Sequence, residues 1–250
     1  MSAINPHMAS AAAAPAGSEE TTLKQVLITG GGTGIGAATA ERLAAAGAAV
    51  TICGRTEATL RKAAQACKGA QVVQHVVLDV ADEAGVVQLF QSRQFDAVVC
   101  AAGIIRTADV FELSTADFRS VMDVNLMGVY FVCREAMRQM RARGVRGDIV
   151  AISSIAGIRG MQVRFPGSFS YVASKHAVAG LVEAMAVDGR PYGIRVNCLS
   201  PGRVDTEIAR QFGGIPEIKP AQIAALIETM LDNERSGVMS GSNVEVYSHD

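Results

Sequence analysis

The chain has 250 residues and a mass of 26.1 kDa, which is typical of one large α/β domain. Its net charge of -1 and its lack of a long basic run exclude electrostatic recruitment to nucleic acid or to an anionic membrane. Apolar residues make up 49% of the chain and aromatic residues only 5%, a composition typical of close-packed helices around buried parallel strands.

The cysteines and histidines indicate no metal site. The cysteines show no C-x-x-C spacing, and the histidines lie far apart in the sequence. We interpret the cysteines as buried apolar residues in a reducing compartment and expect a cytoplasmic protein. No apolar stretch is long enough to span a membrane, so no membrane partner is expected.

Predicted strands and helices alternate along most of the chain. Residues 1–22 are rich in Ala and small polar residues and lack the segments of a secretion signal, so we expect a disordered leader. A single domain then covers residues 23–250. Its strands are predicted over residues 25–29, 49–53, 72–78, 97–100, 148–153, 195–199 and 244–247. Its clearest helices are predicted over residues 35–46, 57–67, 115–143, 171–188 and 220–231.

This alternation predicts an α/β fold. Short apolar strands that alternate with helices are typical of a parallel sheet. We therefore expect a single Rossmann-like, doubly wound parallel sheet of about seven strands, with helices on both faces.

A glycine-rich loop joins the first predicted strand to the first predicted helix. It reads Thr29-Gly30-Gly31-Gly32-Thr33-Gly34-Ile35-Gly36, and its glycines permit a tight turn and close approach of the backbone to a pyrophosphate. Backbone N–H groups and the helix dipole would bind the phosphates. The residues alone leave the register open, because Gly32-x-Gly34-x-x-Ala37 also fits the general dinucleotide fingerprint.

Tyr171 and Lys175 lie four residues apart in a predicted helix, so their side chains share one face. A free tyrosine has a pKa of about 10 and is a poor acid or base near neutral pH. A cation held close to the phenol would favour the phenolate and lower that pKa. The pair predicts a tyrosine that exchanges protons, although a solvated helix face is the simpler interpretation of these two residues alone.

The glycine-rich loop and four further motifs together resemble those of the classical short-chain dehydrogenases/reductases, over residues 24–247. The family pattern T-G-x-x-x-G-x-G fixes the register of the loop as Thr29, Gly30, Gly34 and Gly36. The other motifs are, in order, Asp79-Val80, Asp123-Val124-Asn125-Leu126-Met127-Gly128, Ser153-Ser154-Ile155-Ala156-Gly157, and Pro201-Gly202 with Thr206. The resemblance implies that the domain at 23–250 is a dinucleotide-binding catalytic domain.

The resemblance also implies which residues contact the cofactor. Asp79 would contact the adenine, and the segment that begins at Pro201 would hold the nicotinamide carboxamide. Together with Arg55 after the second predicted strand, these residues make up the predicted cofactor-binding positions. They are Gly30, Thr33, Gly34, Ile35, Gly36, Arg55, Asp79, Val80, Ala102, Gly103, Tyr171, Lys175, Pro201, Gly202, Val204 and Thr206.

The catalytic residues implied by the resemblance are Asn125, Ser154, Tyr171 and Lys175. In a reduction, Ser154 would hydrogen-bond the carbonyl oxygen and Tyr171 would supply the proton, while the nicotinamide delivers hydride to the carbon. Lys175 would lower the pKa of Tyr171 and bind the nicotinamide ribose. Asn125 would link Lys175 to solvent through a water chain.

Three segments depart from the family pattern. The family's Asn-Asn-Ala-Gly is here Cys100-Ala101-Ala102-Gly103, which removes two side-chain amides that help to steady the central strand. Residues 159–168 lengthen the spacing between Ser154 and Tyr171, and we expect this loop to border the substrate. The family's closing Gly-Gly is absent, and the short path from Pro201 to the last helix predicts a short substrate lid.

The end of the second predicted strand indicates the preferred cofactor. An NAD enzyme places Asp or Glu there to accept a hydrogen bond from the ribose 2′-hydroxyl, whereas this chain has Gly54 followed by Arg55. Arg55 can meet a 2′-phosphate, although Thr33 stands where many NADP-preferring relatives carry a second basic residue. We therefore expect NADP(H) to be favoured over NAD(H).

The expected partner is a small-molecule carbonyl or alcohol substrate. Four arginines on segments near the nicotinamide suit a carboxylate or phosphate on that substrate, although solvated surface arginines are an equal alternative. They are Arg106, Arg159, Arg164 and Arg203. A 3-oxoacyl thioester reductase is an alternative within the enzyme class, and a catalytically silent dinucleotide-binding regulator is the alternative outside it.

The two longest predicted helices, over residues 115–143 and 171–188, carry more apolar residues than one sheet face needs. In the resembled family these helices pair between subunits. We therefore expect a homotetramer or at least a homodimer.

Overall fold

The computed structural model of the chain describes residues 24–68, 73–158, 167–210 and 218–247. The predicted leader lies outside the described residues, as do residues 159–166 of the predicted substrate-bordering loop. Within the described ranges, no helix is both long and apolar enough to cross a membrane.

Seven parallel strands form one sheet in the order β3-β2-β1-β4-β5-β6-β7. The strands are β1 (Gln25–Thr29), β2 (Ala49–Gly54), β3 (Gln74–Val77), β4 (Ala97–Cys100), β5 (Asp148–Ile152), β6 (Arg195–Pro201) and β7 (Asn243–Val246). The chain winds outward from β1 in one direction and from β4 in the other. This order creates a switch point between β1 and β4, where open α/β sheets bind ligands.

Helices cover both faces of the sheet. They are α1 (Gly34–Ala45), α2 (Glu57–Ala66), α3 (Glu83–Ser92), α4 (Thr115–Met122), α5 (Gly128–Arg143), α6 (Phe169–Gly189), α7 (Glu207–Arg210), α8 (Pro220–Leu231) and α9 (Asn233–Ser236). One apolar layer packs α1, α2 and α8 against the sheet, and the other packs α3, α5 and α6. Because both faces are covered, β5 and β6 are buried along their whole length.

The predicted doubly wound fold is confirmed, with three local differences. β3 is shorter than predicted, since it is an edge strand that pairs only with β2. The helix predicted over 115–143 is divided by a π-helical turn at Asp123–Met127, which carries Asn125. The helix α3 was not among the clearest predicted helices, because Gly85 in its first turn weakens the helical pattern.

Candidate active site

A cavity of about 990 Å³ opens at the carboxyl edge of the sheet, beside the switch point. It is lined by the glycine-rich loop, by the ends of β2 and β5, and by the segments that follow β3, β4 and β6. Every predicted cofactor-binding position lines it, as do Ser154, Tyr171 and Lys175. Asn125 is fully buried and does not line the cavity. The fold therefore brings together residues from widely separated parts of the chain in a space large enough for a ligand.

The glycine-rich loop packs too closely on neighbouring backbone to carry side chains at two positions. Gly30 has φ +65°, and a Cβ there would lie 2.7 Å from the backbone N of Ala102. A Cβ on Gly36 would lie 2.3 Å from the carbonyl oxygen of Gly30. The side chain of Thr33, the N-cap residue of α1, makes no capping hydrogen bond. The start of α1 thus keeps backbone N–H groups without a side-chain cap, which fits a bound pyrophosphate.

Arg55 lines the cavity directly after β2 and forms no ion pair with any described residue. Asp79, at the neighbouring strand end, accepts a hydrogen bond from the backbone N–H of Ala81 at 3.0 Å. Thr56 and Thr59 also line the cavity, and sequence analysis missed them. Their position immediately after Arg55, around the start of α2, is the signal that could have identified them.

The three predicted reacting residues meet where β5 and α6 approach each other. Ser154 follows β5, and its Oγ accepts a hydrogen bond from the backbone N–H of Ala156 at 3.2 Å. The Ser154 hydroxyl also lies close enough to that of Tyr171 for hydrogen bonding to lower the pKa of the phenol. The Nζ of Lys175 lies 5.6 Å from the centroid of the Tyr171 ring and donates to the carbonyl oxygen of Ile152 at 2.7 Å. Tyr171 and Lys175 therefore share one face of α6, as predicted.

The expected effect of Lys175 on Tyr171 requires a correction. Burial raises the pKa of Tyr171, and the hydrogen bond with Ser154 opposes that rise. The pKa of Tyr171 is therefore raised overall and not lowered as predicted, because burial of the phenol is the largest influence on it. Lys175 is itself 4% exposed, and burial lowers its own pKa to about 8.

Asn125 holds the loop after β4 with both ends of its amide. Its Oδ1 accepts from the backbone N–H of Ile104 at 2.8 Å, and its Nδ2 donates to the carbonyl oxygen of the same residue at 2.9 Å. The Nδ2 also donates to the Oγ of Ser174 at 3.0 Å, and that Oγ donates to the carbonyl oxygen of Tyr171 at 2.7 Å. Asn125 therefore joins the β4 loop to α6, a contact that sequence reasoning did not foresee. Its link to a water chain stays a prediction.

Two buried thiols, those of Cys100 and Cys198, lie near Lys175. Cys100 begins the segment that replaces the family's Asn-Asn-Ala-Gly motif. The Sγ of Cys100 lies 3.8 Å from the Sγ of Cys133. The contact with Cys133 and burial both raise the pKa of Cys100, and burial raises the pKa of Cys198 to about 11. Neither Cys100 nor Cys198 lines the cavity, and a raised pKa disfavours the reactive thiolate form.

Two of the four arginines predicted to face the substrate line the cavity, namely Arg106 and Arg203. Arg106 donates to the carbonyl oxygen of Ile105 at 3.0 Å, and its Nε lies 3.7 Å from the Oδ1 of Asp117. Arg159 and Arg164 lie outside the described residues. Glu207 also lines the cavity, which sequence analysis did not anticipate. No cluster of three potential metal-ligating side chains occurs in the part of the chain that the structure describes.

Comparison with known proteins identifies the family of this chain. Residues 24–214 match the family model described as short chain dehydrogenase. A 3beta-hydroxysteroid dehydrogenase of Mediterraneibacter gnavus is 36% identical over 234 residues, which cover 87% of this chain and 79% of that protein. An NADP-dependent (R)-specific alcohol dehydrogenase of Lentilactobacillus kefiri is 34% identical over 202 residues, which cover 78% of this chain and 79% of that protein.

A solved structure agrees with this result. A short chain dehydrogenase/reductase family protein superimposes with a TM-score of 0.80 at 33% sequence identity, covering 89% of this chain and 95% of that one. Family model, relatives and structure all match the domain that contains the cavity. The chain therefore belongs to the short-chain dehydrogenases/reductases and is an NAD(P)-dependent oxidoreductase.

Proposed function

We propose that this oxidoreductase transfers a hydride between NADP(H), favoured over NAD(H), and a small carbonyl compound or secondary alcohol. The observation that supports this best is the convergence of Ser154, Tyr171 and Lys175 at a cavity that the glycine-rich loop also lines. The glycine-rich loop suits a dinucleotide, and the three side chains suit proton transfer beside it. The complete catalytic set argues against a silent regulator.

The side chains of the site account for the proton in the reaction. When bound, the nicotinamide supplies the hydride for reduction or accepts it in oxidation. The hydroxyl of Ser154 hydrogen-bonds the substrate oxygen, and the neighbouring hydroxyl of Tyr171 donates the proton to it. Because burial raises the pKa of Tyr171, the phenol keeps its proton near neutral pH, which is the form that a reduction requires.

Lys175 has two roles in this proposal. Its ammonium stabilises the charge that develops on Tyr171 as the proton leaves, and it binds the nicotinamide ribose. The hydrogen bond to Ile152 holds the ammonium beside the Tyr171 ring while it does so. Asn125 fixes the β4 loop against α6 and, by the family resemblance, links Lys175 to solvent through water.

Arg55 carries the proposed preference for NADP(H). It lines the cavity without an ion-pair partner among the described residues, so its guanidinium is available to a 2′-phosphate. Gly54 leaves no carboxylate at the position that would repel that phosphate.

We also propose that the protein is cytoplasmic and assembles as a homotetramer or homodimer through α4, α5 and α6. Met127, in the π-helical turn between α4 and α5, is 37% exposed although it is apolar. Sedimentation at micromolar concentration should show a species of at least two chains. A single species near 26 kDa, the mass of one chain, would contradict this assembly.

A panel of ketones, aldehydes and 3-oxoacyl thioesters tests the function with NADPH that carries deuterium at the transferred position of the nicotinamide. Mass spectrometry of the product should find one deuterium on the carbinol carbon. The Tyr171→Phe variant should transfer deuterium far more slowly than the wild type. Turnover of the thioesters alone would select the acyl reductase alternative. Tight NADPH binding without turnover of any compound would favour the silent regulator.

A further inference from the structure

Two hydrogen bonds in opposite directions fix Lys175 to the end of β5. Its Nζ donates to the carbonyl oxygen of Ile152 at 2.7 Å, and its own carbonyl oxygen accepts from the Oγ of Ser153 at 2.8 Å. These two partners are consecutive and immediately precede Ser154. We infer that Ser153 is a positioning residue: it sets the register of α6 against β5, and so the place of Lys175 relative to Ser154.

The hydrogen bond from Ser153 does not satisfy an unmet group on α6. Lys175 lies inside this helix, where its carbonyl oxygen accepts from the backbone N–H four residues later. The hydroxyl therefore adds a second donor to an oxygen that has two lone pairs and already uses one. A bond of this kind contributes to the position of the helix more than to its formation.

Neighbouring backbone holds Ser153 in this arrangement. The residue is 2% exposed, and its N–H donates to the carbonyl oxygen of Leu199 in β6 at 2.8 Å. A Cβ on Gly157 would lie 2.5 Å from the carbonyl oxygen of Lys175 and 2.7 Å from the Oγ of Ser153. Glycine at this position thus lets the turn after Ser154 close against α6. The Ser153 hydroxyl also lies within hydrogen-bonding reach of the buried thiol of Cys198 in β6.

Removal of the hydroxyl should displace one end of the catalytic pair without unfolding the domain. Ser153→Ala takes away the donor and leaves no buried carbonyl unpaired, because the carbonyl oxygen of Lys175 keeps its helical partner and the nearby Cys198 thiol is only a weak hydrogen-bonding group. The helix stays attached through the preceding residue, Ser174, whose Oγ accepts from the Nδ2 of Asn125 and donates to the carbonyl oxygen of Tyr171. Lys175 therefore loses one of its two bonds to the end of β5, while Tyr171 keeps its link to Asn125 through Ser174.

The first readout rests on the proposed function. With the best carbonyl substrate and NADPH, Ser153→Ala should lower kcat about 10-fold or more, because small displacements of reacting groups have large effects on rate. The dissociation constant of NADPH should rise by a smaller factor than kcat falls, because the phosphate loop keeps its contacts and only the ribose contact of Lys175 is disturbed. Ser153→Thr keeps the hydroxyl and should restore most of kcat.

A matched control removes a different buried hydroxyl of the same kind. Thr39 is fully buried in α1, and its Oγ1 donates to the carbonyl oxygen of Ile35 at 2.8 Å. Thr39→Val deletes that hydrogen bond at nearly constant volume and far from α6 in the chain. It should leave kcat unchanged.

The second readout needs no turnover. NMR of labelled lysine, assigned with Lys175→Met, follows the ammonium, whose pKa burial lowers to about 8 in the wild-type chain. The titratable groups that face it are Tyr171, Cys100 and Cys198. Release of α6 in Ser153→Ala should admit water and raise this pKa, whereas Thr39→Val should not.

The two readouts separate the two proposals. A wild-type chain that reduces no carbonyl, with the pKa of Lys175 still raised in Ser153→Ala, would end the proposed function and leave the positioning role standing. An unchanged pKa together with kcat within about twofold of wild type would overturn the positioning role. A loss of kcat that Ser153→Thr does not restore would overturn it as well.

Discussion

The two ends of the central strands contain buried charge in opposite arrangements. At the amino end of β5 and β6, Asp148 and Arg195 lie in a network in which each charge has a partner. At the carboxyl end, the ammonium of Lys175 has no carboxylate partner among the described residues. The same sheet thus builds one site in which charge is neutralised and one in which it is not.

The paired network ties the C-terminal helices to the sheet. The Oδ1 of Asp148 accepts from the guanidinium of Arg195 at 2.7 and 2.8 Å, and its Oδ2 accepts from the Nζ of Lys24 at 2.5 Å. The remaining guanidinium donors of Arg195 bond the carbonyl oxygens of Met230 and Ser236. A buried pair with every polar atom bonded is costly to break, because a single deletion strands the other charge.

The unpaired ammonium has a different environment. Its hydrogen bond goes to the Ile152 carbonyl, and the thiols of Cys100 and Cys198 lie nearby. Burial without a countercharge lowers the pKa of Lys175 to about 8, so the group titrates close to physiological pH. Perturbed groups of this kind concentrate at sites of chemistry. The comparison teaches that one end of the sheet is built for stability and the other accepts a cost in stability to keep a reactive cation.

Asp148→Ala should give the largest effect on stability. It leaves Arg195 buried without its countercharge, so the free energy of unfolding should fall by about 3 to 5 kcal/mol. Urea denaturation of the variant and the wild type measures it. Asp188→Ala, at an exposed position of α6, is the control and should change stability by less than about 0.5 kcal/mol. Equal, small effects of the two substitutions would remove the contrast between the two ends of the sheet.

Lys175→Met should change the pH dependence of stability. Below pH 8 the lysine is charged in both states, and the folded state bears the full cost of burying the charge. Between about 8 and the ordinary value of 10.5, the unfolded chain binds more protons, so the free energy of unfolding of the wild type rises with pH. Relative to Lys175→Met, the wild type should gain on the order of 3 kcal/mol across this window.

Urea midpoints at several pH values between 7 and about 10.5 measure this gain. Lys62→Met, at an exposed position of α2, controls for the general effect of removing a lysine. If the difference in the free energy of unfolding between the wild type and Lys175→Met does not vary with pH, Lys175 is not buried as a charge.

Arg55→Ala should have the smallest effect in energy. One charged hydrogen bond to a 2′-phosphate is worth roughly 1.5 to 3 kcal/mol, which implies a preference for NADP(H) on the order of 10- to 100-fold. The variant should lose most of that preference and keep its use of NADH. Comparison of kcat/KM for NADPH and NADH is the measurement, and a wild type that favours NADH would contradict it.

Gly54→Asp sharpens the same test. A Cβ on Gly54 would meet only the side chain of Leu60, at 3.5 Å, so the strand end has room for an aspartate. The new carboxylate should repel the 2′-phosphate and accept from a ribose 2′-hydroxyl. It should therefore move the preference further toward NADH than Arg55→Ala does.

Elements with strong periodic or apolar patterns were predictable from the sequence. β1, β4 and α8 have the predicted bounds, because buried strands and capped amphipathic helices leave clear local signals. The edge strand β3 and the glycine-containing α3 were not well predicted, since their limits depend on tertiary neighbours. The π-helical turn at Asp123–Met127 has no signal in residue spacing at all.

The composition of the site was predictable from motifs, and its internal contacts were not. All predicted cofactor positions line one cavity, because most of them lie just after a strand at the carboxyl edge of the sheet. The direction of the pKa shift of Tyr171 was mispredicted, since a spacing of four residues fixes a shared face but does not reveal how deeply the phenol is buried. Contacts such as that of Ser153 with Lys175 join distant segments, and only the folded chain reveals them.

The kinetics of Tyr171→Phe test most directly whether the carboxyl end of the sheet is a reductase site. The substitution removes only the hydroxyl that donates the proton, so kcat/KM should fall on the order of 1,000-fold, within the range of general acid catalysis. NADPH affinity, measured by fluorescence titration, should stay within about twofold of wild type, because the hydroxyl acts on the reacting oxygen. A variant that keeps activity within about tenfold of wild type would contradict the proposed proton donor.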